Sequence, residues 1–179
     1  MNNRESPIIW LTGMSGSGKT TLSNDLESFF MKHKYGVYVL DGDDIRAKDE
    51  EKLGFGHEDV MKNNLRISDL CKTLRKRYDV IVIPVISPYG DVRIKVRSIL
   101  EPNFHLIYLK SDIESLRRRD TKGLYSKSDK GIIKDLIGYS ETNPYEEPNN
   151  AELVVETSNE VSIDESREKL FSYIKKNIF

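Results

Sequence analysis

Gly13-Met14-Ser15-Gly16-Ser17-Gly18-Lys19-Thr20 follows directly on the apolar run Ile8-Ile9-Trp10-Leu11-Thr12 and opens a segment of helical period. This strand-to-helix setting is where G-x-x-x-x-G-K-[ST] reads as a phosphate-binding loop. The glycines let the backbone curl until successive N–H groups point inward, and the helix behind them adds its positive end. Gly13, Ser15, Gly16, Ser17, Gly18, Lys19, Thr20 and Thr21 are the expected wall of an ATP site. Lys19 is placed to bridge the β- and γ-phosphates, and Thr20 to hold Mg²⁺. The competing reading, a flexible Gly/Ser turn before a helix, loses because a strand and a helix both flank the motif.

Outward from this loop, short runs rich in Val, Ile and Tyr alternate with longer stretches of helical period. That pattern predicts a parallel sheet covered by helices on both faces. Strands are expected at 8–12, 37–40, 80–86, 105–109 and 153–156, and helices at 19–35, 58–77, 91–100, 112–119 and 162–176. With right-handed crossovers these give an α/β fold of the P-loop NTPase type. It is a doubly wound, mainly parallel five-stranded sheet with ligands at the carboxyl ends of its strands. Residues 120–150 break the plan, with three glycines, two prolines and three tyrosines among many charges. A long segment of that kind in a compact unit is read as a functional loop, with one short helix at 132–136. Arg117, Arg118, Arg119, Lys122, Lys127, Lys130 and Lys134 gather around Gly123 and Gly131, the composition of a cationic flap that closes over phosphates and excludes water.

Composition narrows the partners. Lys and Arg number 28 against 29 Asp and Glu, so no global basic field draws the chain to a nucleic-acid polymer or a membrane surface. The single cysteine, Cys71, excludes an internal disulfide, no basic-then-apolar leader precedes Ile8, and no apolar stretch approaches a membrane span. A cytoplasmic chain of one domain over 1–179 is expected, with the lid at about 120–150.

A phosphate loop alone does not separate kinases from ATPases, GTPases or nucleotide sensors. The second strand ends in Leu40-Asp41-Gly42-Asp43-Asp44-Ile45-Arg46, which puts carboxylates and an arginine at the carboxyl edge of the sheet. A carboxylate there can orient Mg²⁺ or take a proton from an attacking hydroxyl, and the arginine can clamp an anionic acceptor. The alternative is that Asp43 or Asp44 caps the next helix and Arg46 is a solvated charge.

These strings resemble the adenylylsulfate kinase family, over roughly residues 8–157. The carriers are Ile9-Trp10-Leu11-Thr12-Gly13, Leu40-Asp41-Gly42-Asp43, Leu53-Gly54-Phe55, Ile86-Ser87-Pro88-Tyr89, Arg119-Asp120-Thr121-Lys122-Gly123-Leu124-Tyr125 and Pro144-Tyr145-Glu146. The resemblance implies a kinase that uses ATP and Mg²⁺ to phosphorylate the ribose 3′-hydroxyl of a small nucleotide acceptor, of the adenosine 5′-phosphosulfate type. It implies Asp41, Lys19 and Asp43 as catalytic residues, with Thr20 and Asp41 holding the metal. The acceptor contacts it implies are Asp43, Arg46, Phe55, Asn63, Ile86, Ser87, Lys122, Gly123 and Leu124, Phe55 stacking on the base. A homodimer is compatible with it.

Three departures fall on the acceptor side. Where the family reads Glu-Asp-Arg-x-x-Asn, its arginine binding the phosphosulfate, this chain has Glu58-Asp59-Val60-Met61-Lys62-Asn63. The family's Phe-Thr-Gly, whose ring closes a base sandwich, is Leu136-Ile137-Gly138, and its Leu-Asn-x-Asp is Asp49-Glu50-Glu51-Lys52. Losing a stacking ring costs about 1 to 3 kcal/mol and losing a charge-assisted contact a comparable or larger amount, so either Lys62 and Tyr139 compensate for the arginine and the ring or the chain accepts a different nucleotide. Cytidine diphosphoramidate, the acceptor of one branch resembling this family and a precursor of a capsule decoration, is the named alternative. A regulatory domain that binds ATP without turnover is the alternative of a different class. Cys71, on an apolar helix face, reads as a core thiol; His33, His57 and His105 lack metal spacing, and Trp10 reads as core.

Overall fold

The computed structural model describes residues 5–47 and 53–179. Five parallel strands, β1 (Ile8–Thr12), β2 (Val37–Val39), β3 (Val80–Pro84), β4 (Phe104–Lys110) and β5 (Leu153–Glu156), lie in the order β2-β3-β1-β4-β5. β1 and β3 are buried at every position, the reason they read as unbroken apolar runs. Their alternate side chains feed two cores. Ile8, Trp10, Ile81 and Ile83 face α3 (His57–Leu74) and α4 (Gly90–Leu100). Ile9, Leu11, Val80 and Val82 face α1 (Lys19–Lys32) and α7 (Ile163–Asn177), which supply Leu22, Leu26, Phe30, Leu170 and Ile174. The expected doubly wound sheet is therefore present.

The helices differ from expectation in their ends and in two additions. α1 stops at Lys32 rather than 35, where Lys34 turns to a φ of 63°, and α3 stops at Leu74. α2 (Gly42–Ala47) lies after β2, where no helix was expected. In the lid the helix is α6 (Leu124–Asp129), after α5 (Ile113–Arg119), and 132–136 is not helical. The reason is local: both carboxylate oxygens of Asp120 accept backbone N–H groups, from Tyr125 and Ser126 at 3.0 Å, and so start the helix early. Ile133 and Leu136 pack instead with Leu116 and Tyr125 in a small core of the lid's own.

Other readings hold. Cys71 is fully buried, its thiol pushed up to about 12 by desolvation, and Trp10 is fully buried. His105 accepts or donates to the Tyr173 hydroxyl at 2.8 Å, and His57 pairs with Asp91. No helix among the described residues is long and apolar enough to cross a membrane.

Candidate active site

β1 lies mid-sheet, so its phosphate loop emerges at the centre of the carboxyl edge, with the end of β2 one strand beyond β3. Gly18, which precedes α1, takes a left-handed φ of 90°, a conformation that costs other residues about 1 to 2 kcal/mol. A cavity of about 510 Å³ opens over the loop, the size of a nucleotide site. Residues 15–21 line it together with Asp41, Asp43, Ile86 and Lys122. Eleven candidates from the loops after the first and third strands, the end of the second strand and the lid thus converge on one space.

Lys19 Nζ donates to Gly13 O at 2.7 Å and to Met14 O at 2.8 Å, so its charge is held by the loop's own carbonyls. Desolvation brings the ammonium down to about 8, against the pull of Asp43 and Asp41 and with the push of Lys122. Asp41 Oδ1 accepts the Asp43 N–H at 2.8 Å, so the cap of α2 is Asp41 and neither Asp43 nor Asp44. Burial raises the Asp41 carboxyl above the usual carboxylate range, and the neighbouring charges of Asp43 and Asp44 raise it further, while the Asp43 N–H and Lys122 oppose the shift. Lys122 Nζ reaches across from the lid to Asp43 Oδ2 at 2.8 Å. The oxygen donors of Thr20 and Asp41 border the same cavity and suit a hard cation such as Mg²⁺. Among the described residues no group of three or more His, Cys, Asp or Glu could by itself hold a metal ion.

Gly42 explains why the carboxylates sit where they do. A Cβ there would lie 2.7 Å from Val85 Cγ2 and 3.0 Å from Val85 Cβ, so α2 can approach β3 only without a side chain. Gly42→Ala is expected to destabilise the fold by about 1 to 3 kcal/mol and to lower kcat at least tenfold by moving Asp41. Urea unfolding and initial rates on the same preparation check both.

The remaining acceptor candidates lie outside the lining of that cavity. Arg46 donates to Gly54 O and, at 3.4 Å, to Leu53 O, and its guanidinium stands 5.0 Å from the centroid of Phe55, whose ring is 54% exposed. Asn63 is 2% exposed with Oδ1 unpartnered, and Ser87 is 1% exposed with Oγ unpartnered and a strained φ of 42°. Gly123 and Leu124 form the start of α6.

Residues 5–156 match the family model described as Adenylylsulphate kinase. The chain belongs to the adenylylsulphate kinase family. An adenylyl-sulfate kinase of Bacillus pumilus is 39% identical over 176 residues, spanning 98% of this chain and 88% of that protein. One of Staphylococcus epidermidis is 38% identical over 98% of this chain and 87% of that protein. The APS kinase of Mycobacterium tuberculosis, solved with AMPPNP and APS, superposes with a TM-score of 0.84 at 28% identity, covering 96% of this chain and 98% of that one. As a family member the protein is a phosphotransferase that uses ATP and Mg²⁺ and has a hydroxyl acceptor.

Two of the residues at which this adenylylsulphate kinase departs from the expected family strings share a structural outcome. Val60 and Ile137 are buried in one apolar cluster with Leu40, Val85 and Tyr89, next to the strand ends that carry Asp41 and Ile86. Leu136 lies in the lid core, beside Met14 of the phosphate loop. Tyr139 is committed elsewhere, its ring edge-on to Tyr125 at 5.2 Å and its hydroxyl on Asp129 at 2.6 Å. The third departure, 49–52, lies outside the described residues.

The far wall of the cavity was missed by sequence reasoning. Arg119 donates to Gly16 O at 3.1 Å, to Thr157 O, and to Asn159 Oδ1 at 3.3 Å, tying the phosphate loop to the β5–α7 connection. With Ser158 and Val161 these residues close the end of the cavity away from Asp41. The contacts to Gly16 and Thr157 are to backbone carbonyls, which carry no residue-type signal; Arg119 itself was legible in the flap composition and in the string 119–125, but its partners were not.

Proposed function

We propose that this protein moves the γ-phosphoryl group of ATP to the ribose 3′-hydroxyl of a small nucleotide. The observation that carries the reading is the convergence of Lys19, Asp41 and Asp43 on one cavity over the phosphate loop. The triphosphate lies along residues 13–20, its γ-phosphate at Lys19, and the adenine occupies the end walled by Arg119 and 157–161. Asp41 faces the incoming alcohol and takes its proton as the new O–P bond forms and the bond to the β-phosphate oxygen breaks, releasing ADP. Thr20 and Asp41 would hold Mg²⁺, which when bound would neutralise phosphate charge. Lys122, Gly123 and Leu124 bring the lid over the reacting groups; Arg46, Phe55, Asn63, Ile86 and Ser87 form the acceptor seat. The lone buried thiol suits a reducing compartment, and the cytoplasm is the proposed location.

Two acceptors compete. The names of the curated relatives favour adenylyl sulfate. The replacement of a polar anchor by Val60, packed with Ile137 in one apolar cluster, favours a less anionic acceptor with a smaller base, for which cytidine diphosphoramidate is the candidate. An ADP-release assay offering each nucleotide separately decides between them. Turnover of the cytidine compound at least tenfold above that of adenylyl sulfate is expected if the apolar wall sets specificity. Strong turnover of adenylyl sulfate with none of the cytidine compound ends the altered-acceptor reading.

A further inference from the structure

The carboxyl-side root of the lid is stitched to the loop that carries Ile86 and Ser87. Glu146 N–H donates to Pro88 O at 2.9 Å, and Arg93 donates through Nη2 to Glu146 O at 2.7 Å and through Nη1 to Ser87 O at 2.8 Å. Arg93 is only 4% exposed, yet both terminal nitrogens are spent on carbonyls rather than on a carboxylate. A buried guanidinium used in this way fixes backbone geometry. What it fixes needs holding, because Ser87 is not a glycine and sits at a φ of 42°.

A second tether reaches the neighbouring carbonyl. Thr12, the fully buried last residue of β1, contacts Ile86 O through Oγ1, and the Tyr145 hydroxyl lies 2.9 Å from the same Oγ1. A carbonyl only accepts, so the one Thr12 proton goes to Ile86, and Tyr145 must donate to Thr12. The Tyr145 ring also lies beneath the Arg93 guanidinium, at 5.9 Å, so the two tethers share one support. Their end points are adjacent residues, and one of these, Ile86, lines the cavity.

We propose that Tyr145, Thr12 and Arg93 are positioning residues that set the backbone of Ile86 and Ser87 for the acceptor, so that acceptor affinity depends on them and ATP affinity does not. The proposal rests on the reading of the 86–89 loop as part of the acceptor seat. Steady-state kinetics of the full chain with ATP and adenylyl sulfate, or with cytidine diphosphoramidate where that is the compound turned over, test it. Thr12→Val and Tyr145→Phe are each expected to raise the acceptor KM by about tenfold while the KM for ATP changes less than about twofold. Thr12→Ser, which keeps the hydroxyl, is expected to restore the acceptor KM. An unchanged acceptor KM in both variants overturns the proposal; so does a parallel rise in both KM values with a lowered Tm, the mark of a merely structural role. Failure of the unaltered chain to turn over either nucleotide would instead undo the parent reading, a distinct result.

Discussion

Replacing Lys19 with methionine is expected to lower kcat/KM by roughly three orders of magnitude and to leave the fold intact. Among the described residues the side chain donates to Gly13 O and Met14 O of its own loop, so its removal strands no distant partner there. What is lost is the cation that meets charge building on the transferring phosphoryl group. A proton count gives an independent signature. In the free protein the ammonium titrates at about 8, chiefly because it is desolvated, and arriving phosphates raise that value. Between pH 8 and 9 part of the free protein therefore lacks this proton and gains it when MgATP binds; near pH 6 there is nothing to gain. Calorimetric titrations in two buffers of different ionisation enthalpy should detect the uptake at the higher pH, and Lys19→Met should abolish it. A variant that keeps kcat/KM within tenfold would remove Lys19 from the chemistry.

Asp41→Asn should cost about two to four orders of magnitude in kcat with ATP affinity unchanged. The choice of asparagine matters. Asp41 also caps α2 through the Asp43 N–H, and asparagine caps as well as aspartate, so the substitution removes the proton acceptor and spares the helix. The carboxyl is raised by burial, so the acid limb of the kcat/KM profile should fall above the ordinary carboxylate range in the unaltered enzyme: activity is present above that pKa and lost as pH drops through it. The limb should vanish in the variant. Retention of kcat within a few fold would assign the proton to another group, and an unaltered chain with no turnover at all would return the reading to an ATP-binding regulatory domain.

The parts legible in the sequence are those whose signal is either periodic or covalently contiguous. β1 and its loop occupy one unbroken string, and the buried strands announce themselves as apolar runs because both faces are covered. α2 escaped because six residues are too few to display a helical period, and its start is set by one carboxylate before it. The lid helix was expected at 132–136, whereas Asp120 nucleates it at 124; Ile133 and Leu136 pack as a coil against Leu116 and Tyr125, and Ile132 is left exposed. Arg119 meets Gly16 and Thr157, far away in the chain, through their main-chain oxygens, which residue identities do not advertise. The departures Val60 and Ile137 were legible singly, but their burial in one cluster is a fact of three dimensions.

The contact between Lys122 and Asp43 joins two largely exposed side chains, 60% and 74% accessible. Exposed pairs of this kind contribute about 0 to 1 kcal/mol and weaken with ionic strength. This one link between the lid and α2 is thus worth little more than thermal energy, whereas Tyr125, whose hydroxyl donates to Ser15 O at 2.7 Å, and Arg119 on Gly16 O hold the base of the lid to the phosphate loop. Salt should speed loading and unloading of nucleotides, and should also admit more stray water to a bound triphosphate.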